Sequence, residues 1–219
     1  MPIRELPATP NGILDDSLLR EVDAIVQQCN CIGCEGKGLA LGIANKWAWG
    51  SSYSGRRRMP PANRFAVPED RAIPGTIDVR RGPPGSGTPL VINLFAQYEM
   101  GKPGVYKRVP FPPGVNDLAP QRERWFAECL EAISRLPSKP RSVAFPFWIG
   151  CGLAGGNWGK YRRMIDDFSR ANPDVSVVIA TMADGGRGKG GGRGASGGGR
   201  GACFKCGDPG HWANACPQR

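Results

Sequence analysis

Three cysteines and the only histidine of the chain fall at Cys203, Cys206, His211 and Cys216, in the spacing C-x2-C-x4-H-x4-C. Three thiolates and an imidazole complete a closed tetrahedral shell, which is the structural form of a zinc site, so one structural zinc ion is expected there. Residues 203–219 are too few to build a hydrophobic core, and metal binding must supply their folding free energy. Gly207 and Gly210 permit the tight turns that gather the ligands. Phe204 and Trp212 have nothing to bury against on so small a scaffold. They suit stacking on an unpaired base, worth about 1–3 kcal/mol per base, with Lys205 and Arg219 supplying charge for phosphates.

The 219-residue chain carries a formal charge of +10, from 29 Lys and Arg against 19 Asp and Glu. That balance favours polyanionic partners through counterion release, and single-stranded RNA or DNA is the partner expected. No run approaches the roughly 20 apolar residues that span a bilayer. Residues 1–10 lack the apolar core of a signal peptide. The expectation is an intracellular protein, in nucleus or cytoplasm, with no membrane partner. Scattered cysteines outside the zinc pattern fit a reducing compartment rather than a disulfide framework.

Ahead of the zinc pattern, glycine supplies most of residues 185–201, with Arg187, Lys189, Arg193 and Arg200 between. Such a composition cannot bury enough apolar surface to offset its ordering entropy, so 183–202 is expected to be a flexible basic tether. It is either a passive linker or an RGG-like arm that adds phosphate contacts and arginine stacking. Residues 1–182 then form one large domain. Its short Val- and Ile-rich runs at 22–29, 89–95, 142–147 and 175–181 read as buried strands, and 76–80, alternating after the Pro74-Gly75 turn, as an edge strand. Helices fit 37–47, 118–136 and 158–171. In the middle one Trp125, Phe126, Cys129, Leu130, Ile133 and Leu136 share a stripe, while Arg122, Glu123 and Arg124 are expected outside it. Strands alternating with helices predict a three-layer α/β/α domain with a mixed, largely parallel sheet, whose ligands bind beyond the carboxyl ends of the strands.

The C-terminal pattern resembles the CCHC zinc knuckles of retroviral nucleocapsid and cellular RNA-binding proteins. That resemblance implies that Phe204 and Trp212 form a platform for an unpaired base. In the large domain, VDAIVQQCNCIGCEGKGLALGIANKW (22–47) resembles the first nucleotide-binding loop of macro domains. SVAFPFWIGCGLAGGNWGKYRRMIDDF (142–168) is similar to the phosphate loop of the branch holding ADP-ribose 1″-phosphate phosphatases and related ADP-ribosyl hydrolases. VINLFAQ (91–97) adds an intervening match in the right order.

The resemblance implies that ADP-ribose or an ADP-ribosylated molecule is a partner. Gly150, Cys151, Gly152, Leu153, Ala154, Gly155 and Gly156 would face the diphosphate through backbone amides at a helix N-terminus. Gly36, Lys37 and Gly38 would surround the distal ribose, with Asn30 offering donor and acceptor to its hydroxyls. The family's adenine-selecting aspartate corresponds to Asp15 or Asn11. Members that remove ADP-ribose from macromolecules carry a lysine and an aspartate where this chain has Gln97 and Ala154. Some phosphatases carry a histidine where Gln27 and Gln28 stand. His211 belongs to the zinc pattern, so imidazole acid/base catalysis is excluded from the large domain.

Asn30 and Lys37 remain as catalytic candidates, beside Glu35 and Cys34, whose bland readings are a solvated turn residue and a small buried one. Lys37 reads first as a phosphate-facing charge. Hydrolysis through a water held by Asn30 and the substrate's own phosphate, simple reading of ADP-ribose, and nucleic-acid binding alone on a degenerate macro scaffold all stay open.

Overall fold

A computed structural model describes residues 2–34, 36–60 and 65–183. The expectations for the tether from 184 on, for the knuckle (Cys203, Phe204, Lys205, Cys206, His211, Trp212 and Cys216) and for Glu35 lie outside the described residues.

Six strands form one sheet: β1 (Arg4–Glu5), β2 (Ala24–Asn30), β3 (Ile77–Arg80), β4 (Leu90–Gln97), β5 (Ser142–Pro146) and β6 (Ser176–Ala180), in the order β1-β6-β5-β2-β4-β3. All neighbours run parallel except β3, which lies antiparallel on β4 at the edge. Crossovers are made by α2 (Leu39–Lys46), α3 (Ala119–Ser134) and α4 (Trp158–Ala171), while the short α1 (Asp16–Glu21) precedes β2. The central strand β2 pairs Ala24 with both Leu90 and Val143. It is buried along nearly its whole length, which is why its sequence reads as a continuous apolar run rather than an alternation.

Side-chain alternation along the strands sorts the core into two layers. Ile25, Val91, Ala144 and Val178 pack with Leu18 and Leu19 of α1 and Ile43 of α2. Val26, Ile92, Val143 and Val177 point the other way, against Phe126 and Ile133 of α3 and Ile165 and Phe168 of α4. The sheet therefore sits between two helical layers, as the alternation of periods predicts.

Three differences from the sequence reading have clear causes. Helix α2 starts at Leu39 rather than at 37, because Gly38 takes φ +59°, outside the helical region. Arg122, expected on the outer face of α3, is buried at 1% exposure and ion-paired with Asp117. A charged residue enters a core only with such a partner, and helical periodicity carries no sign of one. Strand β1 gives no signal in the sequence because it is only two residues long, both of them exposed.

Candidate functional site

Both glycine-rich loops rise from the carboxyl edge of the sheet around β2. At the end of that strand Asn30 is buried, and its Oδ1 accepts from the Cys34 N–H at 3.0 Å. Its Nδ2 donates to the Cys34 carbonyl at 3.2 Å and to the Tyr53 hydroxyl at 3.1 Å. An amide side chain has two N–H hydrogens and two oxygen lone pairs, so Asn30 retains one lone pair and no donor. In this arrangement Asn30 folds the loop 30–34 back on itself.

The same loop is held from outside. Arg56 donates from Nη1 to the carbonyls of Cys31 (3.3 Å) and Asp70 (3.0 Å), and from Nε to that of Ser52 (2.7 Å). Arg58 donates to the Gly33 carbonyl, and Arg57 forms an ion pair with Asp70 at 2.7 Å. Two members of the run 56–58, Arg56 and Arg58, are thus struts under the first loop. Beyond the struts, Gly36, Lys37 and Gly38 lead into the N-terminus of α2, with Lys37 and Gly38 exposed.

The second loop lies on the neighbouring position of β2. Gly150 has φ +68°, and a Cβ there would stand 2.2 Å from Gln28 Oε1 and 2.5 Å from the Tyr161 ring. Only glycine fits, and its absent side chain lets the loop rest directly on β2 and α4. Gly156 N–H donates to the Gly150 carbonyl at 2.9 Å, and Gly155 N–H to that of Gly152 at 3.1 Å. No acceptor among the described residues takes the N–H groups of Gly152, Leu153 and Ala154. The loop ends at Asn157, whose side chain caps α4 by accepting from Lys160 N at 3.0 Å. Unpaired amides beside a helix N-terminus favour an anion.

A buried ion pair ties this loop to the segment 99–117. Arg122 donates from Nε to Asp117 Oδ1 at 2.7 Å and from Nη2 to Oδ2, from Nη1 to the carbonyls of Gly101 (2.6 Å) and Ala154 (3.2 Å), and from Nη2 to that of Glu99 (3.3 Å). Asp117 also accepts the N–H groups of Tyr98 and Glu99, each at 3.0 Å. Sequence reasoning missed this pair; an arginine one turn into a helix that follows an aspartate was the only signal. Within 101–114 the Lys102 stem packs on Gly155 of the second glycine loop.

Gln97, at the family's lysine position, accepts from Gln28 Nε2 at 2.8 Å and donates to the Glu99 carbonyl at 3.0 Å, so it serves as a structural bridge. Cys34 is buried, as its bland reading had it. Burial pushes the Cys29 thiol up to about 11 and the Cys151 thiol up to about 12, so both are protonated near neutrality. Of the two adenine alternatives, Asp15 is engaged as the cap of α1, accepting from Ser17 Oγ (2.6 Å) and Ser17 N (3.1 Å). Those bonds hold its carboxyl below the usual range. Asn11 makes no cap bond to the turn Gly12–Leu14 that follows it.

The architecture places the chain among known folds. It is similar to the macrodomain of Mycobacterium tuberculosis DarG, at 19% identity and a TM-score of 0.55, over 84% of this chain and 99% of that one. The macrodomain of Thermus aquaticus DarG is similar at 20% identity and 0.55, over 81% and 97%. Alphavirus P23pro-zbd follows at 16% and 0.50, over 84% of this chain and 22% of that one. The large domain thus has the macrodomain fold. Residues 201–218 match the zinc knuckle family, and they contain Cys203, Cys206, His211 and Cys216. No curated protein matches the chain in sequence. Among the described residues no helix is long and apolar enough to cross a membrane.

Proposed function

We propose that residues 1–182 bind ADP-ribose, or a phosphorylated derivative of it, and that 183–202 tether this domain to a knuckle, 203–219, that grips single-stranded RNA or DNA. The observation that carries the first half is the set of unaccepted N–H groups at Gly152, Leu153 and Ala154, in a loop fixed on β2 by Gly150 and closed onto α4. A diphosphate supplies the acceptors that those amides lack. The distal ribose then meets Gly36, Lys37 and Gly38, and the remaining lone pair of Asn30 accepts one of its hydroxyl protons.

For the second half, the donor set fits zinc: three thiolates and one neutral imidazole are its preferred closed shell, and binding releases the thiol protons. Zinc supplies no catalysis in such a shell. With Cys203, Cys206, His211 and Cys216 holding the ion, Phe204 and Trp212 would be free to stack on bases and Lys205 to meet a phosphate.

Binding without hydrolysis is favoured over catalysis, because Gln97, at the family's lysine position, bridges Gln28 and Glu99, and no histidine serves the domain. Calorimetry of the full chain with ADP-ribose, combined with a phosphate-release assay on ADP-ribose 1″-phosphate, tests this. Saturable binding with no phosphate released supports the reading. Release of phosphate at enzymatic rates would replace it with the hydrolase alternative, and no binding would leave nucleic-acid binding alone.

A further inference from the structure

The loop between β4 and α3 presents a feature that the nucleotide reading does not use. Between 101 and 114 it carries Lys102, Lys107 and Arg108, with Tyr106 between the lysines, Phe111 after Arg108 and no acidic residue. All three cations are exposed, and none forms an ion pair among the described residues. Cations of α3 and α4 such as Arg124, Lys160 and Arg162 instead face carboxylates. The Arg108 guanidinium sits 3.7 Å from the centre of the Tyr106 ring, and Lys107 Nζ lies 5.6 Å from that of Phe111.

The backbone beneath this surface is fixed. Glu99, fully buried, accepts the N–H groups of Arg108 and Met100. Arg122 holds the Gly101 carbonyl, Arg71 reaches that of Pro110 at 3.4 Å, and Val109 is buried. Side chains on a loop so anchored are presented outward rather than collapsed, and the Lys102 stem on Gly155 carries the strip to the edge of the second glycine loop.

We infer that Lys102, Tyr106, Lys107 and Arg108 form a track for a single-stranded nucleic acid, the continuation of the strand held by the knuckle. Interleaved cations and stacked aromatic or guanidinium planes are what a single strand requires: phosphates pair with the lysines, and a base extends the Tyr106–Arg108 stack. An acidic peptide would use the charge but not the exposed ring. The track extends the proposed knuckle function, and oligomer length separates the two. The hexamer is chosen to load the proposed knuckle alone, and the 24-mer to be long enough to engage a second surface as well.

The test measures binding of unstructured RNA and DNA hexamers and 24-mers to the zinc-loaded full chain over a range of salt. The triple variant Lys102→Gln/Lys107→Gln/Arg108→Gln is compared with wild type, and thermal unfolding checks its fold. With three fewer phosphates neutralised, the slope of log K against log salt for the 24-mer should fall by about 2, since each phosphate of a single strand contributes roughly 0.7. Affinity should drop at least about ten-fold at low salt, while hexamer affinity holds. Tyr106→Ala alone should weaken the 24-mer at least about five-fold. Unchanged 24-mer slope and affinity in the triple variant overturn the track. If the hexamer fails to bind wild type but the 24-mer binds and the triple variant loses it, the track stands and the knuckle reading falls. If neither oligomer binds, both fall. The RNA and DNA arms identify which strand is preferred.

Discussion

Arg122 on α3 reaches the carbonyl of Ala154 at 3.2 Å, while the same guanidinium closes on both carboxylate oxygens of Asp117. One buried charge thus ties three pieces of chain: the helix that carries it, the loop 99–117, and the loop proposed to receive a diphosphate. Its side chain is 2% exposed and that of Asp117 1%, so neither charge is compensated by water.

Arg122→Met should therefore destabilise the domain by about 3–5 kcal/mol, since it leaves Asp117 buried and unpaired. The double variant Arg122→Met/Asp117→Asn should recover part of that loss. Urea denaturation of the three proteins gives the comparison. A single variant within about 1 kcal/mol of wild type would contradict the role assigned to the pair.

Gly150→Ala places a Cβ in a left-handed backbone and against Gln28 and Tyr161. A loss of about 1–3 kcal/mol is expected, with displacement of the loop. Gly152→Ala meets nothing within 4 Å and is the matched control. Calorimetry with ADP-ribose should show binding abolished in the first variant and retained in the second.

Asn30→Ala removes the acceptor for Cys34 N–H and a donor to the Cys34 carbonyl. Leaving those buried groups unpaired costs about 1–3 kcal/mol. Affinity for ADP-ribose should fall at least about ten-fold in protein that is still folded at the assay temperature. Near-wild-type affinity would show that the loop 30–34 does not shape the ligand site.

The thiols divide by environment. Burial raises Cys29 and Cys151 to about 11 and 12, and Cys31 and Cys129 also upward, so these should resist a thiol reagent at about pH 8 in the folded protein. Adding a strong zinc chelator should expose Cys203, Cys206 and Cys216 and no others, read by mass spectrometry of the labelled peptides. The unfolded thiols titrate near 9 and the folded ones above it, so stability should be fully present below about pH 9. It should decline as pH rises through the folded values. A flat stability profile from about pH 8.5 to 10.5 would show that burial does not raise these thiols.

Much of this protein is written locally. The zinc donors lie in one short stretch, so no fold is needed to bring them together in sequence. The strands at 24–30, 90–97, 142–146 and 176–180 announce themselves as apolar runs because a parallel sheet covered on both faces buries nearly every residue. The two glycine loops were legible for a related reason: a position such as Gly150 tolerates one residue type, and that residue marks the place where strand, loop and helix meet.

Tertiary structure decided the polar partners. Arg122 finds its acceptor at Ala154, Arg58 finds Gly33, and Glu99 finds the N–H of Arg108; none of these pairs repeats with the period of a helix or strand. Sequence alone placed Arg122 at the surface, because a charge is normally left in water. The folded chain supplies carbonyls and carboxylates that replace that water, and only the packing of distant segments can put them there.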